Sequence, residues 1–153
     1  MDNLISVLEF LCKKLESINW VLIGSLNLMI QGINIDTNDI DILTDKEGFA
    51  SISTILREFK QQRNNKDSSN FKSNLNTFLV KNIKIEVMSD LKYKNNNGKW
   101  IKLFNLSDKR FIEFNGTKYP VIPLKKAYEA YIKTGKIKTA EKIREFTKSK
   151  TIS

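Results

Sequence analysis

Apolar residues at the start of the chain recur at helical spacing. Leu4, Val7, Leu8, Leu11 and Leu15 fall on one face and predict an amphipathic helix over residues 3–17. The period then changes. Trp20-Val21-Leu22-Ile23 is a short unbroken apolar run, the pattern of a buried strand. Gly24-Ser25 ends that run, and a short helical segment over 25–31 closes at Gly32. Ile40, Ile42 and Leu43 carry a second strand over 39–44, with Asp39 and Asp41 alternating between them. Thr44-Asp45-Lys46-Glu47 has capping-box chemistry, which places an N-cap at Thr44 or Asp45. The helix that follows runs to about Lys60 and buries Phe49, Ile52, Ile55, Leu56 and Phe59.

Polarity rises from Gln61 to Asn70, an Asn- and Lys-rich surface loop. Leu75 to Val80 and Ile83 to Met88 read as two strands joined by a tight turn at Lys81-Asn82. Asn95-Asn96-Asn97-Gly98 is a second turn, before a short strand from Trp100 to Phe104. Asn115-Gly116 is a hairpin signal between Phe111–Phe114 and Thr117–Ile122. Pro123 opens a helix that buries Leu124, Ala127, Tyr128, Tyr131 and Ile132 and closes at Gly135; a last helix covers about 137–149. With no internal repeat or linker, the 153 residues read as one α/β (α+β) domain. Its mixed sheet is packed by helices on one face, with helices at the C-terminal end, which leaves part of the other face open.

Composition narrows the chemistry. There is no histidine and one cysteine, Cys12, so a zinc centre or a histidine-dependent triad is ruled out, and a bound metal would be a hard ion held by oxygen. No apolar run approaches a membrane span, and the N-terminus lacks a secretory signal, so a cytoplasmic location is expected. The net charge of +9 is uneven. Residues 1–60 hold 5 basic and 9 acidic side chains, net −4, whereas residues 61–153 hold 21 and 8, net +13. An acidic segment beside a basic remainder suits a metal-bridged polyphosphate and would attract nucleic acid.

Thirteen residues separate Ser25 from Asp39. Strand side chains alternate, so Asp39 and Asp41 point to one face roughly 6–7 Å apart, where they repel unless a cation lies between them. A third carboxylate would complete a two-metal site, and Glu86 is the candidate, because Ile83, Ile85 and Val87 take the opposite face of its strand. The plainer reading pairs Glu86 with Lys84 and makes Ser25 a helix cap. Gly24 equally permits close approach of a phosphate to the backbone. Lys72 and Lys136 are candidates for neutralising phosphate charge. Asp45 and Glu47 read as helix caps, Asp36 and Asp90 as turn residues or as outer groups of the site, with Asp90 the next candidate after Glu86 for the third carboxylate, and Tyr128 and Tyr131 as core.

At these residues the sequence resembles the nucleotidyltransferase superfamily that shares the DNA polymerase beta palm. The resemblance rests on Gly24-Ser25, Asp39-Ile40-Asp41 and Glu86, and extends through Ile85-Glu86-Val87-Met88-Ser89-Asp90 to the Pro123–Gly135 helix. Within that superfamily the chain is similar to small stand-alone members related to aminoglycoside adenylyltransferases. The resemblance implies a palm fold, with residues 1–90 as catalytic core and 91–153 as β-hairpin and C-terminal helices. It further implies magnesium at Asp39, Asp41 and Glu86 in a two-metal site. A nucleoside triphosphate, ATP first among them, would lie at Gly24 and Ser25 and pass its nucleoside monophosphate to an acceptor hydroxyl. The basic balance favours RNA or a protein side chain over an aminoglycoside as acceptor. The competing expectation is a non-catalytic module, antitoxin-like or RNA-binding, that holds nucleotide or a partner without turnover. A second copy of the chain or a partner protein would supply what the small core lacks.

Overall fold

The computed structural model describes residues 2–61 and 68–151. Most of the predicted polar loop over 61–70 thus lies outside the described residues. Five helices and seven strands follow in the order α1 (Asp2–Lys14), β1 (Trp20–Ile23), α2 (Gly24–Ile30), β2 (Ile40–Thr44), α3 (Lys46–Ile55), β3 (Phe71–Val80), β4 (Ile83–Lys94), β5 (Trp100–Lys102), β6 (Arg110–Phe114), β7 (Thr117–Val121), α4 (Leu124–Lys133) and α5 (Ile137–Thr151). One mixed sheet runs β3-β4-β2-β1-β7-β6, with β5 paired to the far end of β4. The β1/β7 and β2/β4 pairs are parallel and the rest antiparallel.

All four residues of β1 are buried, as its unbroken apolar run requires of a central strand. On one sheet face α1 and α3, through Leu8, Leu11 and Ile52, and the residues that follow them, Leu15 and Leu56, pack onto Leu22, Ile40, Ile42, Ile85 and Val87. The opposite face carries Ile23, Leu43 and Met88 and is partly roofed by α4 and α5 through Ala127, Tyr131 and Ile143. Asp45 is the N-cap of α3, its carboxylate accepting from Gly48 N at 2.7 Å. That helix ends at Ile55, before a 3-10 turn at Arg57–Phe59, and so stops short of the predicted end near Lys60.

The central hairpin is longer than its apolar pattern suggests: β3 begins at Phe71 and β4 continues to Lys94. The reason lies at Asp90. The register steps from Asn74↔Ser89 to Lys72↔Lys92, so β4 carries one extra residue there, and Asp90 has φ +53. This bulge turns Asp90 out to solvent and lets Leu91 take its place against the α4–α5 side. The strand predicted over Trp100 to Phe104 shortens to Trp100–Lys102. Lys81, Asn82, Asn115 and Gly116 all have positive φ, which is the backbone of tight hairpin turns whose twist matches the strands.

Candidate active site

The site is assembled around the end of β1. Gly24 leaves the strand at φ +75, a conformation that L side chains rarely adopt, and α2 begins at once with no side-chain cap. Ser25 is therefore not the helix cap of the plainer reading. Its Oγ donates to Thr37 Oγ1 at 2.9 Å, and Thr37 Oγ1 reaches the Asp39 carbonyl at 3.5 Å. This chain of contacts ties the start of α2 to the segment that presents the aspartates.

Asp41 stands at the centre. In register it lies opposite Ile23 on one side and Glu86 on the other, so the two carboxylates are direct cross-strand neighbours on the face opposite the α1–α3 core. The Asp41 carboxyl is pushed up to about 7, first by burial and then by the charges of Glu86 and Asp39, while Lys84 and Lys136 pull it back. Lys84 stands among the same groups: its Nζ is 3.5 Å from Asp39 Oδ2 and 3.3 Å from Glu86 Oε1. Those two anions raise its own pKa. The Lys84–Glu86 pair of the plainer reading is thus present, and the same ammonium also binds Asp39. Among the described residues, no three carboxylate or thiol groups converge as the ligands of one metal ion. The donor set nonetheless suits a hard cation. It is oxygen only, and the pKa of its most buried member, Asp41, is raised to about 7, first by burial and then by the two carboxylates that crowd it.

Beside Asp41 opens a cleft of about 300 Å³, bordered by Gly24, Asp41, Lys72, Met88, Tyr131 and Lys136 among others. Phe71, Leu75, Leu91, Leu103 and Phe104 make much of its wall apolar. Tyr131 was expected in the core. It packs there along one edge but also lines the cleft, and its hydroxyl is raised to about 12 by burial and then by the Asp41 charge.

The structure thus brings Gly24, Asp41, Lys72 and Lys136 to one cleft, and sets Asp39 and Glu86 around Lys84, outside the residues that border it. Ser25 lies behind Gly24 and does not line the cleft. Lys72 does not precede the strands but lies within β3, with its Nζ 4.5 Å from the centre of the Trp100 ring. Asp90 points away: it is exposed and pairs with Lys92 at 3.6 Å. No described helix is long and apolar enough to cross a membrane.

A strand–glycine–helix turn beside paired carboxylates on a mixed sheet defines the nucleotidyltransferase fold. The chain belongs to the aminoglycoside-2''-adenylyltransferase family, whose profile matches residues 3–147. The crystal structure of a candidate nucleotidyltransferase from Thermotoga maritima, TM1012, is similar over 97% of this chain and 95% of that one, with 32% identity and a TM-score of 0.78. The lincomycin-bound lincosamide adenylyltransferase LnuA shares the fold at a TM-score of 0.56 and 12% identity, over 83% of this chain and 82% of its own. A search of curated proteins finds no match.

Proposed function

We propose that the protein is a magnesium-dependent nucleotidyltransferase that passes the nucleoside monophosphate of a triphosphate, ATP in the first instance, to an acceptor hydroxyl. The observation that carries this reading is the Asp41–Glu86 register pair set against Gly24 at the mouth of a cleft. Asp41, Asp39 and Glu86 would hold magnesium. Bound there, the metal supplies Lewis-acid stabilisation of charge on the transferring phosphoryl group and the departing pyrophosphate. Gly24 lets the triphosphate approach the backbone, with Ser25 behind it, and Lys72 and Lys136 neutralise phosphate charge from the two sides of the cleft. In the reaction the acceptor oxygen bonds to the α-phosphorus and the α–β bridging bond breaks. Pyrophosphate leaves, and the acceptor proton passes to Glu86, the more accessible carboxylate of the register pair.

The family name points to an aminoglycoside acceptor. The cleft favours a neutral or anionic one, RNA or a protein side chain, because Lys72 and Lys136 border it and Asp41 is its one carboxylate among the described lining residues. The second reading, a module that binds nucleotide or a partner without turnover, is favoured by the ammonium of Lys84 between Asp39 and Glu86. Incubation with each α-labelled nucleoside triphosphate, magnesium and fractionated acceptors separates them. Label transferred to an acceptor with release of pyrophosphate is expected for the enzyme. Tight nucleotide binding with no transfer in any fraction would establish the module instead.

A further inference from the structure

Three lysines stand in one row across the outer end of the sheet. Lys72 of β3 is the register partner of Lys92 of β4, and Lys92 is the register partner of Lys102 of β5. Register partners share a face, with about 4.5–5.5 Å between neighbouring Cα atoms. Like charges directly opposite are destabilising, and here two such pairs are consecutive. Two residue pairs further along the same hairpin, and so on the same face, Lys94 lies opposite Trp100. The indole of Trp100 has Lys72 Nζ 4.5 Å from its centre and Lys94 Nζ 5.9 Å away. Asp90 offsets part of this charge through Lys92, while Lys94 and Lys102 are exposed.

We infer that the β3–β4–β5 end is a binding site for single-stranded nucleic acid. The chemistry that relieves a row of opposed lysines is a line of phosphates. The chemistry that uses a tryptophan among them is a base stacked on the indole, with the displaced ammonium groups moving to the flanking phosphates. An acidic peptide or a polyphosphate would use the charges and leave the ring idle. Lys72 also borders the cleft at Asp41, so a strand held here reaches the mouth of that cleft. The site stands whether or not the cleft turns nucleotide over.

The chain has two tryptophans, and Trp20 is buried at 3% exposure with its Nε1 donating to the Leu15 carbonyl. Fluorescence quenching therefore reports on Trp100. The full chain, without magnesium or triphosphate, is titrated with oligo(dT) and oligo(U), and in parallel with inorganic polyphosphate and a poly-glutamate peptide. Quenching by the oligonucleotides is expected, with affinity that falls as salt rises. Affinities of the variants, and of polyphosphate and poly-glutamate as competitors, are read from the anisotropy of a labelled oligonucleotide, which does not depend on Trp100. On that readout Trp100→Ala should weaken binding by roughly 5- to 160-fold, the loss of one stacked base. The double variant Lys92→Ser/Lys102→Ser should reduce the slope of log affinity against log salt by about 1.4, two phosphate contacts on a single strand. Trp100→Leu keeps apolar packing without stacking and serves where Trp100→Ala does not fold. Titrating without magnesium or triphosphate keeps this test separate from the catalytic reading. The inference is overturned if neither oligonucleotide quenches at low salt, or if polyphosphate or poly-glutamate binds as tightly as the oligonucleotides. It is equally overturned if the tryptophan and lysine variants bind unchanged.

Discussion

Gly24 and Asp41 are fitted to each other. A β-carbon on Gly24 would intrude on Asp41 Oδ2 and stand 3.3 Å from its Cγ. The glycine is required twice over, once by its φ of +75 and once by the carboxylate packed against it. The bend that starts α2 and the position of the central acid are thus one structural fact.

Gly24→Ala should accordingly cost more than a backbone penalty. The left-handed conformation alone costs about 1–2 kcal/mol for a residue with a β-carbon. Gly116→Ala is the control, since Gly116 has φ +83 with nothing within 4 Å of the added carbon. Both variants should melt earlier than the parent. Only Gly24→Ala should also lose stabilisation by ATP and magnesium, because only it displaces Asp41. Equal ligand-induced shifts in the two variants would separate Gly24 from the site.

Asp41 makes stability depend on pH in a definite direction. Its folded-state pKa is raised from 3.8 to about 7, so the folded chain favours the protonated acid. The stabilisation from that proton is complete below the unfolded value and is lost as pH rises through about 7. Asp41→Asn removes the cost of ionisation. It should stabilise the metal-free protein at pH 8 by about 2–4 kcal/mol and have little effect at pH 4. Thermal melts at the two pH values check this, and a variant less stable than the parent at pH 8 contradicts it. Magnesium protection of the parent should in turn strengthen between pH 6 and 8, as Asp41 ionises.

Lys84 occupies the position a cation would seek between Asp39 and Glu86. Lys84 and Asp39 are about half exposed and Glu86 is 28% exposed, so Lys84→Met should change metal-free stability by no more than about 1 kcal/mol. Manganese, followed by its paramagnetic resonance, should bind roughly 2- to 5-fold more tightly to the variant, which no longer has an ammonium to displace. Weaker binding would mean that Lys84 holds the carboxylates in place for the metal.

Glu86 and Asp90 can be told apart by the same bulge that separates them. They are four residues apart on β4, about 13 Å along a strand, and Asp90 faces solvent beside Lys92. Glu86→Gln should lower transfer by orders of magnitude with the melting temperature nearly unchanged. Asp90→Asn should leave transfer at the parent rate. A fully active Glu86→Gln would remove Glu86 from the site.

The sequence made some parts of this arrangement legible and hid others for physical reasons. Trp20–Ile23 is an unbroken apolar run that only a central strand can bury, and it forms β1 over those four residues. The strict alternation from Ile83 to Val87 placed Glu86 on the open face, where the parallel register sets it beside Asp41. Beyond Met88 alternation fails, because the bulge at Asp90 shifts the face by one residue, and that shift depends on the partner strand. Tyr131 has the spacing of a core residue and is one along part of its ring. That the remainder looks onto Asp41 follows from how α4 crosses the sheet, which no local pattern encodes. Lys84 was visible as a partner for Glu86. Its contact with Asp39 depends on β2 and β4 being neighbours, a long-range pairing.

The order of strands sets when this site can exist. β1 and its neighbour β2 are both synthesised early, but the other neighbour of β1, β7, is contributed by residues 117–121. Asn27 of α2 is fastened to the backbone of Ile122, accepting from its N at 3.2 Å and donating to its carbonyl at 3.1 Å. The roof over Asp41 comes later still, from Tyr131 and Lys136. A growing chain on the ribosome therefore exposes its carboxylates long before it has a cleft to put them in. The cleft beside Asp41 is complete only when α4 and Lys136 arrive, so a nascent chain, or one truncated before α4, has the acids of the site without its pocket.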